Sequence, residues 1–260
     1  MVSVPKRLTE SADCGKKWKM HSFLAAVKYL TVIPWPKTRA ATPEGIAKSA
    51  SFFPLVGFFL GLILVFVDRF LDPYLASEIL SVVLVTILIL ITRARDLEGL
   101  AESWDQLPTN KDRHTFYQPG GSRGLGAFGL LAIVIVVALK FRAIEVMGEA
   151  RGPGLLLAPV LGRWAMVVLA YGSVSARPEA ERILMEHVRA AQLIWATAIT
   201  LIGVAFFARS LGLWIALWVS LLALASGRFL HRRLGGLSSE NLGAVGEMSE
   251  ALALVLFASL

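Results

Sequence analysis

The chain is poor in cysteine. Its 260 residues contain one, Cys14, so an internal disulfide is impossible and a cysteine-based metal site is excluded. Charge is scarce as well: only 17% of residues are Asp, Glu, Lys or Arg, against about 25% in an ordinary soluble domain. Histidine is rare, and His114, His187 and His231 do not share the spacing of metal ligands. Residues 1–20 have no apolar core and no small-residue cleavage pattern, so no signal peptide is read there. Residues 1–21 read as a flexible basic extension. No internal repeat, heptad array or low-complexity segment is visible.

What the chain has in quantity is hydrocarbon. It is 56% hydrophobic, with a mean hydropathy of +0.65. The apolar residues gather into uncharged runs such as Leu80–Thr92. The fold class is therefore all-α: a polytopic integral membrane helical bundle of about seven spans. Spans are expected near 49–69, 77–93, 124–141, 154–172, 191–208, 211–228 and 244–260. Gly57 and Gly61 in the first would let helices approach closely. Ser22 to Ile33 is too short to cross, carries Lys28 and stops at Pro34-Trp35-Pro36. It reads as an N-terminal interfacial or re-entrant helix. Residues 22–260 are read as a single membrane-embedded domain.

The net charge of +7 then reflects positively charged loops on one membrane side rather than nucleic-acid binding. With the N-terminus inside, segments 1–48, 94–123, 173–190 and 229–243 share that side. Only Arg69, Lys140, Arg142, Arg151 and Arg209 fall on the other, and Arg163 lies within a span. This asymmetry predicts a multi-pass cell-membrane protein whose N-terminus and chemically equipped loops face the cytoplasm.

One of those loops is acidic. In Arg95-Asp96-Leu97-Glu98-Gly99-Leu100-Ala101-Glu102-Ser103-Trp104-Asp105, a helical reading puts Glu98, Glu102 and Asp105 at i, i+4 and i+7 on one face. Like charges so placed repel. A bound cation relieves that, most simply Mg2+, which takes carboxylate oxygens and often holds phosphates too. A solvated acidic helix is the competing reading. Downstream, Gly120-Gly121-Ser122-Arg123-Gly124-Leu125-Gly126 opens the third span. Backbone amides at a helix N-terminus attract phosphate, and arginine adds forked donors. Ser122, Arg123 and Gly126 are thus phosphate-binding candidates, although such glycines also serve packing. Arg163 sits in Ala158-Pro159-Val160-Leu161-Gly162-Arg163, where a charge is expensive and calls for a polar cavity or an acidic partner. Glu247 and Glu250, at i and i+3 in the last span, are candidates for such a partner. Arg177 and Glu240 lie in loops on the acidic loop's side.

Taken in order, these stretches resemble the cobalamin synthase family, the adenosylcobinamide-GDP ribazoletransferases. The resemblance covers roughly 22–260. It runs through Tyr29-Leu30-Thr31-Val32-Ile33-Pro34-Trp35-Pro36, Phe52-Phe53-Pro54-Leu55-Val56-Gly57, Glu98-Gly99-Leu100-Ala101-Glu102 with Asp105, Ala158 to Arg163, Arg233-Leu234-Gly235-Gly236, and Leu242-Gly243-Ala244 with Glu247. Within the acidic segment Asp96 stands at the family's histidine, and Glu98 and Glu102 stand at two of its aspartates.

The resemblance implies the last steps of cobalamin assembly. Adenosylcobinamide-GDP and alpha-ribazole, or its 5′-phosphate, would give adenosylcobalamin, or its phosphate, plus GMP. It implies Mg2+ on Glu98, Glu102 and Asp105, with Asp96 or Glu240 as catalytic base. Arg163, Arg123, Ser122, Gly126, Arg177 and Glu247 would bind substrate. The expected partners are the two small-molecule substrates and the lipid bilayer, with no nucleic acid and with homo-oligomerisation open. Two further readings stand beside it. A CDP-alcohol-type membrane phosphotransferase would want an arginine where Glu102 follows Ala101. A transporter would want repeated halves and acids spread over several spans.

Overall fold

The structure is a computed structural model and describes residues 21–33, 43–107, 125–174 and 187–260. Regular structure among these residues is helical, with no β-strand. Residues 21–30 form α1. Then come α2 (Pro43–Ser49), a 3-10 turn (Ala50–Phe52), α3 (Phe53–Leu71), α4 (Ser77–Ile91), α5 (Arg95–Gln106), α6 (Ala127–Val146), α7 (Arg151–Ala170), α8 (Ala190–Leu234) and α9 (Ser239–Ser259). Among the described residues, five segments are long and apolar enough to cross a membrane: Gly45–Leu71, α6, α7, α8 and α9. A sixth is added if α4 and α5, bent by 86° at their junction, count as one broken span. The chain is an all-α polytopic membrane protein, as its composition requires.

Helix α7 is the central post. Almost all of its side chains from Gly154 to Ala170 are buried. An apolar helix buried all round belongs inside a bundle, and α3, α8 and α9 surround this one. Small residues permit the close approach. A Cβ on Gly57 would lie 2.4 Å from the Pro159 carbonyl oxygen, and one on Gly61 would lie 2.2 Å from that of Leu156. On the α9 side, Gly162 faces the Gly246 carbonyl. Without a hydrophobic force between helices in lipid, such backbone-close packing is a main source of cohesion.

The segment 190–234 is not one straight rod. Arg209 adopts φ 47° and ψ −132° inside it. A Cβ on Gly212 would touch Val204, 3.2 Å from its carbonyl oxygen; in a straight helix eight residues span about 12 Å. The chain therefore doubles back here. Its first arm runs antiparallel to α7, with Thr197 at Trp164 and Gly203 near Leu157. Its second arm returns with Gly227 against Leu169. The arms occupy the positions expected for the fifth and sixth spans. Gly212 gives the arms room to close, but the turning residue itself is Arg209, in a backbone region that non-glycine residues seldom adopt.

Two boundaries differ from the hydropathy reading. The acidic loop is a helix, α5, from Arg95 onward. It is reached through consecutive left-handed residues, Arg93 (φ 57°) and Ala94 (φ 54°). Helix α6 continues to Val146, past the expected end at 141. Lys140 thus lies inside a span, 2% exposed, rather than at its far-side end. The reason is visible in α6: Gly129, Ala132, Val136, Lys140 and Ala143 form one buried stripe at helical spacing on a helix otherwise rich in exposed apolar residues.

The N-terminal helix packs as an accessory element, with Ala26 and Leu30 buried and the Val32 amide donating to the Ile91 carbonyl at 2.7 Å. Two ends of the bundle are distinguishable. One gathers α1, α5, the start of α9 and the end of α7, where the Leu237 amide donates to the Val174 carbonyl at 2.9 Å. At the other, Arg151 donates to Asp68 at 2.8 Å and to the Ser77 hydroxyl at 2.8 Å. Replacing Gly57 by valine drives a side chain into the α7 backbone. The expected outcome is a loss of about 1–3 kcal/mol, read as a lower melting temperature of the detergent-purified protein. An unchanged melting temperature would contradict the close α3–α7 contact.

Candidate functional site

Helices α5 and α9 meet backbone to backbone. A Cβ on Gly99 would lie 2.5 Å from the Glu240 carbonyl oxygen, and one on Gly243 would lie 3.2 Å from the Asp96 Cα. The contact is fixed by a polar knot at the start of α9. The Asn241 side chain accepts from the Ser238 amide at 2.9 Å and donates to the Ser103 hydroxyl on α5 at 2.8 Å. This is a capping interaction extended to a second helix.

Beside that seam is a cavity of about 170 Å³. Asp96, Glu98, Glu102 and Glu240 supply carboxylates to it, Arg95 a guanidinium and Ser239 a hydroxyl. Tyr29, Phe53 and Met166 close its apolar side. The Tyr29 ring stacks on Phe53 with centroids 5.6 Å apart. Arg95 lies over the Tyr29 ring at 4.1 Å and donates to the Tyr29 carbonyl at 2.9 Å. Glu98 and Glu102 are exposed, Glu240 is half-buried and Asp96 is 7% exposed.

Behind Asp96 lies a chain of buried charges. Arg163 is 1% exposed and does not line the cavity. It donates to Asp96 at 3.3 Å and, through its other terminal nitrogen, to Glu250. The second oxygen of Glu250 accepts from Lys140 at 2.6 Å, and Lys140 also meets Glu247 at 2.5 Å. Four helices contribute: α5, α7, α9 and α6. Helix α5, bent away from α4 and polar in sequence, lies outside the apolar spans. At its first turn burial raises the Asp96 carboxyl above its ordinary range, against the lowering effect of Arg163.

The sequence-predicted residues therefore separate. Asp96, Glu240, Glu98 and Glu102 come together at the cavity. Asp105 does not join them there: its carboxylate accepts from the Gly126 amide at 2.8 Å and the Gly129 amide at 2.7 Å, at the start of α6. This is a carboxylate on a helix N-terminus, a favourable arrangement in itself. The Gly126 amide, expected at phosphate, here donates to Asp105, and Asp105 does not line the cavity with Glu98 and Glu102. Among the described residues no group of three or more His, Cys, Asp or Glu is arranged to hold a metal. Arg163 and Glu247, expected at substrate, are members of the buried charge chain. Ser122, Arg123 and Arg177 lie outside the described residues. Sequence reasoning left two cations unassigned. Lys140 was legible from its register with Gly129, Ala132, Val136 and Ala143, and Arg95 from its place one residue before Asp96.

The family profile of cobalamin-5-phosphate synthase matches residues 22–258. The chain belongs to that family. Among relatives of this synthase family, the adenosylcobinamide-GDP ribazoletransferase of Syntrophobacter fumaroxidans is 35% identical over 238 residues, covering 89% of this chain and 96% of the relative. Those of Geotalea daltonii and Pseudomonas entomophila are 30% and 32% identical, over 90% and 91% of this chain and 95% and 98% of their own lengths. No solved structure matches.

In this synthase Arg163 is the cation on which two buried carboxylates depend. Arg163→Leu leaves Asp96 and Glu250 each short of a counter-charge. Removing one partner of a buried ion pair typically costs about 3–5 kcal/mol. The variant is expected to melt well below wild type, and retention of the wild-type melting temperature would show that the chain of charges carries no stability.

Proposed function

We propose that this protein is an adenosylcobinamide-GDP ribazoletransferase. It joins adenosylcobinamide-GDP to alpha-ribazole, or to alpha-ribazole 5′-phosphate, and releases GMP. The observation that carries this reading is the four-carboxylate cavity on the α5–α9 seam, in a chain that belongs to the cobalamin-5-phosphate synthase family. The reaction is attack of a ribose hydroxyl on the cobinamide-side phosphorus of a pyrophosphate. One phosphorus–oxygen bond forms, the bond to GMP breaks, and the hydroxyl proton must leave.

The donor set suits Mg2+. Glu98 and Glu102 sit one helical turn apart on the exposed face of α5 and offer only hard oxygens. Mg2+ ordinarily takes one or two carboxylates and completes its shell with water and substrate phosphate, so the retreat of Asp105 to the α6 N-terminus is compatible with binding. When bound there, Mg2+ supplies neutralisation of the pyrophosphate charge. Arg95, at the cavity wall, adds a fixed cation for the remaining phosphate oxygens. Asp96 takes the proton: it is a carboxylate at the cavity wall whose basicity is raised by burial. Glu240, on the facing helix, orients the attacking hydroxyl. The charge asymmetry of the loops supports a reading in which this end of the bundle faces the cytoplasmic surface of the cell membrane.

The test is GMP release by the detergent-purified protein given adenosylcobinamide-GDP, alpha-ribazole and Mg2+. Glu98→Ala and Glu102→Ala are expected to lower kcat by about a hundredfold or more and to raise the Mg2+ concentration for half-maximal rate. Asp96→Asn is expected to remove the acid limb of the rate profile. That limb lies above the ordinary carboxylate range, because a base with a raised pKa is already protonated, and so lost, at a pH where a normal aspartate is still charged. No GMP from the wild-type protein would overturn the assignment. Full activity in both glutamate variants would overturn the metal site.

A further inference from the structure

The buried chain of charges runs from the cavity to the middle of α6, and the mechanism above uses only its first member. Toward its far end stands Lys140, which lines no part of the cavity and is held by both Glu250 and Glu247. Lys140 is 2% exposed and Glu250 is fully buried. Glu250 uses its two oxygens for two different cations, Lys140 on one side and Arg163 on the other. Arg163 in turn divides its two terminal nitrogens between Glu250 and Asp96. Its Nε is buried without a hydrogen-bond partner. The guanidinium is therefore set by its two carboxylates and not by a full complement of donors and acceptors. Two cations and three carboxylates are confined here in an apolar interior. Such groups are retained at a cost in membrane spans and ordinarily serve function.

We propose that Lys140 and Glu250 are positioning residues for the cavity: by clamping Glu250, Lys140 fixes Arg163, and Arg163 fixes the Asp96 carboxylate on the cavity wall. The inference rests on the transferase reading for its kinetic consequences, but the positional claim does not need it. Asp96 lies on the first turn of α5, immediately after the strained Arg93 and Ala94. Local backbone gives that turn little support, because Ala94 at the N-cap offers no capping side chain. Arg163 supplies a tertiary anchor instead. A second buried ion pair, Asp68–Arg151 at the opposite end of the bundle, touches none of these residues and provides the contrast.

The experiment uses the full chain in detergent or nanodiscs. Lys140→Met keeps the length and removes the charge. It is expected to lower kcat at least tenfold with KM for adenosylcobinamide-GDP within about twofold, and Lys140→Arg is expected to recover most of the loss. In an Asp96→Asn background, Lys140→Met is expected to change the residual rate less than twofold, because the group it positions is gone. Glu250→Asp withdraws the carboxylate by one methylene while keeping its charge. It provides a second variant if Lys140→Met does not fold, and is expected to lower kcat with a smaller fall in melting temperature than Arg163→Leu. Asp68→Asn is expected to lower the melting temperature and leave kcat and KM alone. Hydrogen–deuterium exchange supplies a readout without turnover: amides 95–99 are expected to exchange several-fold faster in Lys140→Met, while those of 101–106 do not. Equal rate losses with and without Asp96, or unchanged exchange at 95–99, would overturn the positioning role. Absence of GMP release by wild type would instead overturn the transferase reading, leaving the exchange result to decide the clamp.

Discussion

The two-sided Glu250 carboxylate is the contact on which the arrangement depends. It sits where α6, α7 and α9 converge and binds a cation from each of the first two. Without it, Lys140 and Arg163 would face one another in an apolar interior, and like charges in a low dielectric repel strongly. With it, three helices share one electrostatic centre, and Arg163 is free to reach a fourth at Asp96. Hydrophobic association cannot select one helix register in lipid, since every apolar face is equally content with acyl chains. A buried charge chain can, because only one register brings each cation to its carboxylate. Glycine makes this register accessible: Gly162 lets α9 approach α7, with the Glu250 side chain directly against it.

Much of the architecture was legible before the coordinates. Uncharged runs located the apolar helices, and the helical register assumed for Glu98, Glu102 and Asp105 within the acidic loop agrees with α5. The cost of Arg163 in a span correctly required an acidic partner, found in Glu250 and Asp96. Hydropathy failed where a charge is paid for by tertiary pairing. It read Lys140 as the end of a span because averaging over a window cannot register that Glu247 and Glu250, more than a hundred residues away, neutralise it. It also placed a loop after Thr92, whereas α5 starts through left-handed Arg93 and Ala94 with no glycine to signal the bend. Backbone strain held by surrounding structure leaves little trace in residue type.

Side-chain length separates the acids of α5 into two kinds. The two aspartates are tied to protein partners: Asp96 to Arg163, Asp105 to the amides of Gly126 and Gly129. The two glutamates, Glu98 and Glu102, line the cavity from the solvent-facing side of α5. A short carboxylate has one torsion fewer and loses less entropy when fixed, so it suits a contact whose geometry the fold dictates. Asp105 leaves no room for more, since a Cβ on Gly126 would come within 2.4 Å of it. A longer carboxylate reaches farther from a crowded backbone. Gly99, between them in sequence, is pressed against the Glu240 carbonyl, so the α5 main chain cannot move toward a ligand. Reach must come from the side chain, and glutamate supplies the additional methylene. The glutamates at 98 and 102 therefore project from a helix that Gly99, Asn241 and Arg163 hold close to its neighbours, and in the proposed reaction their length, not a shift of the α5 main chain, supplies the reach toward substrate.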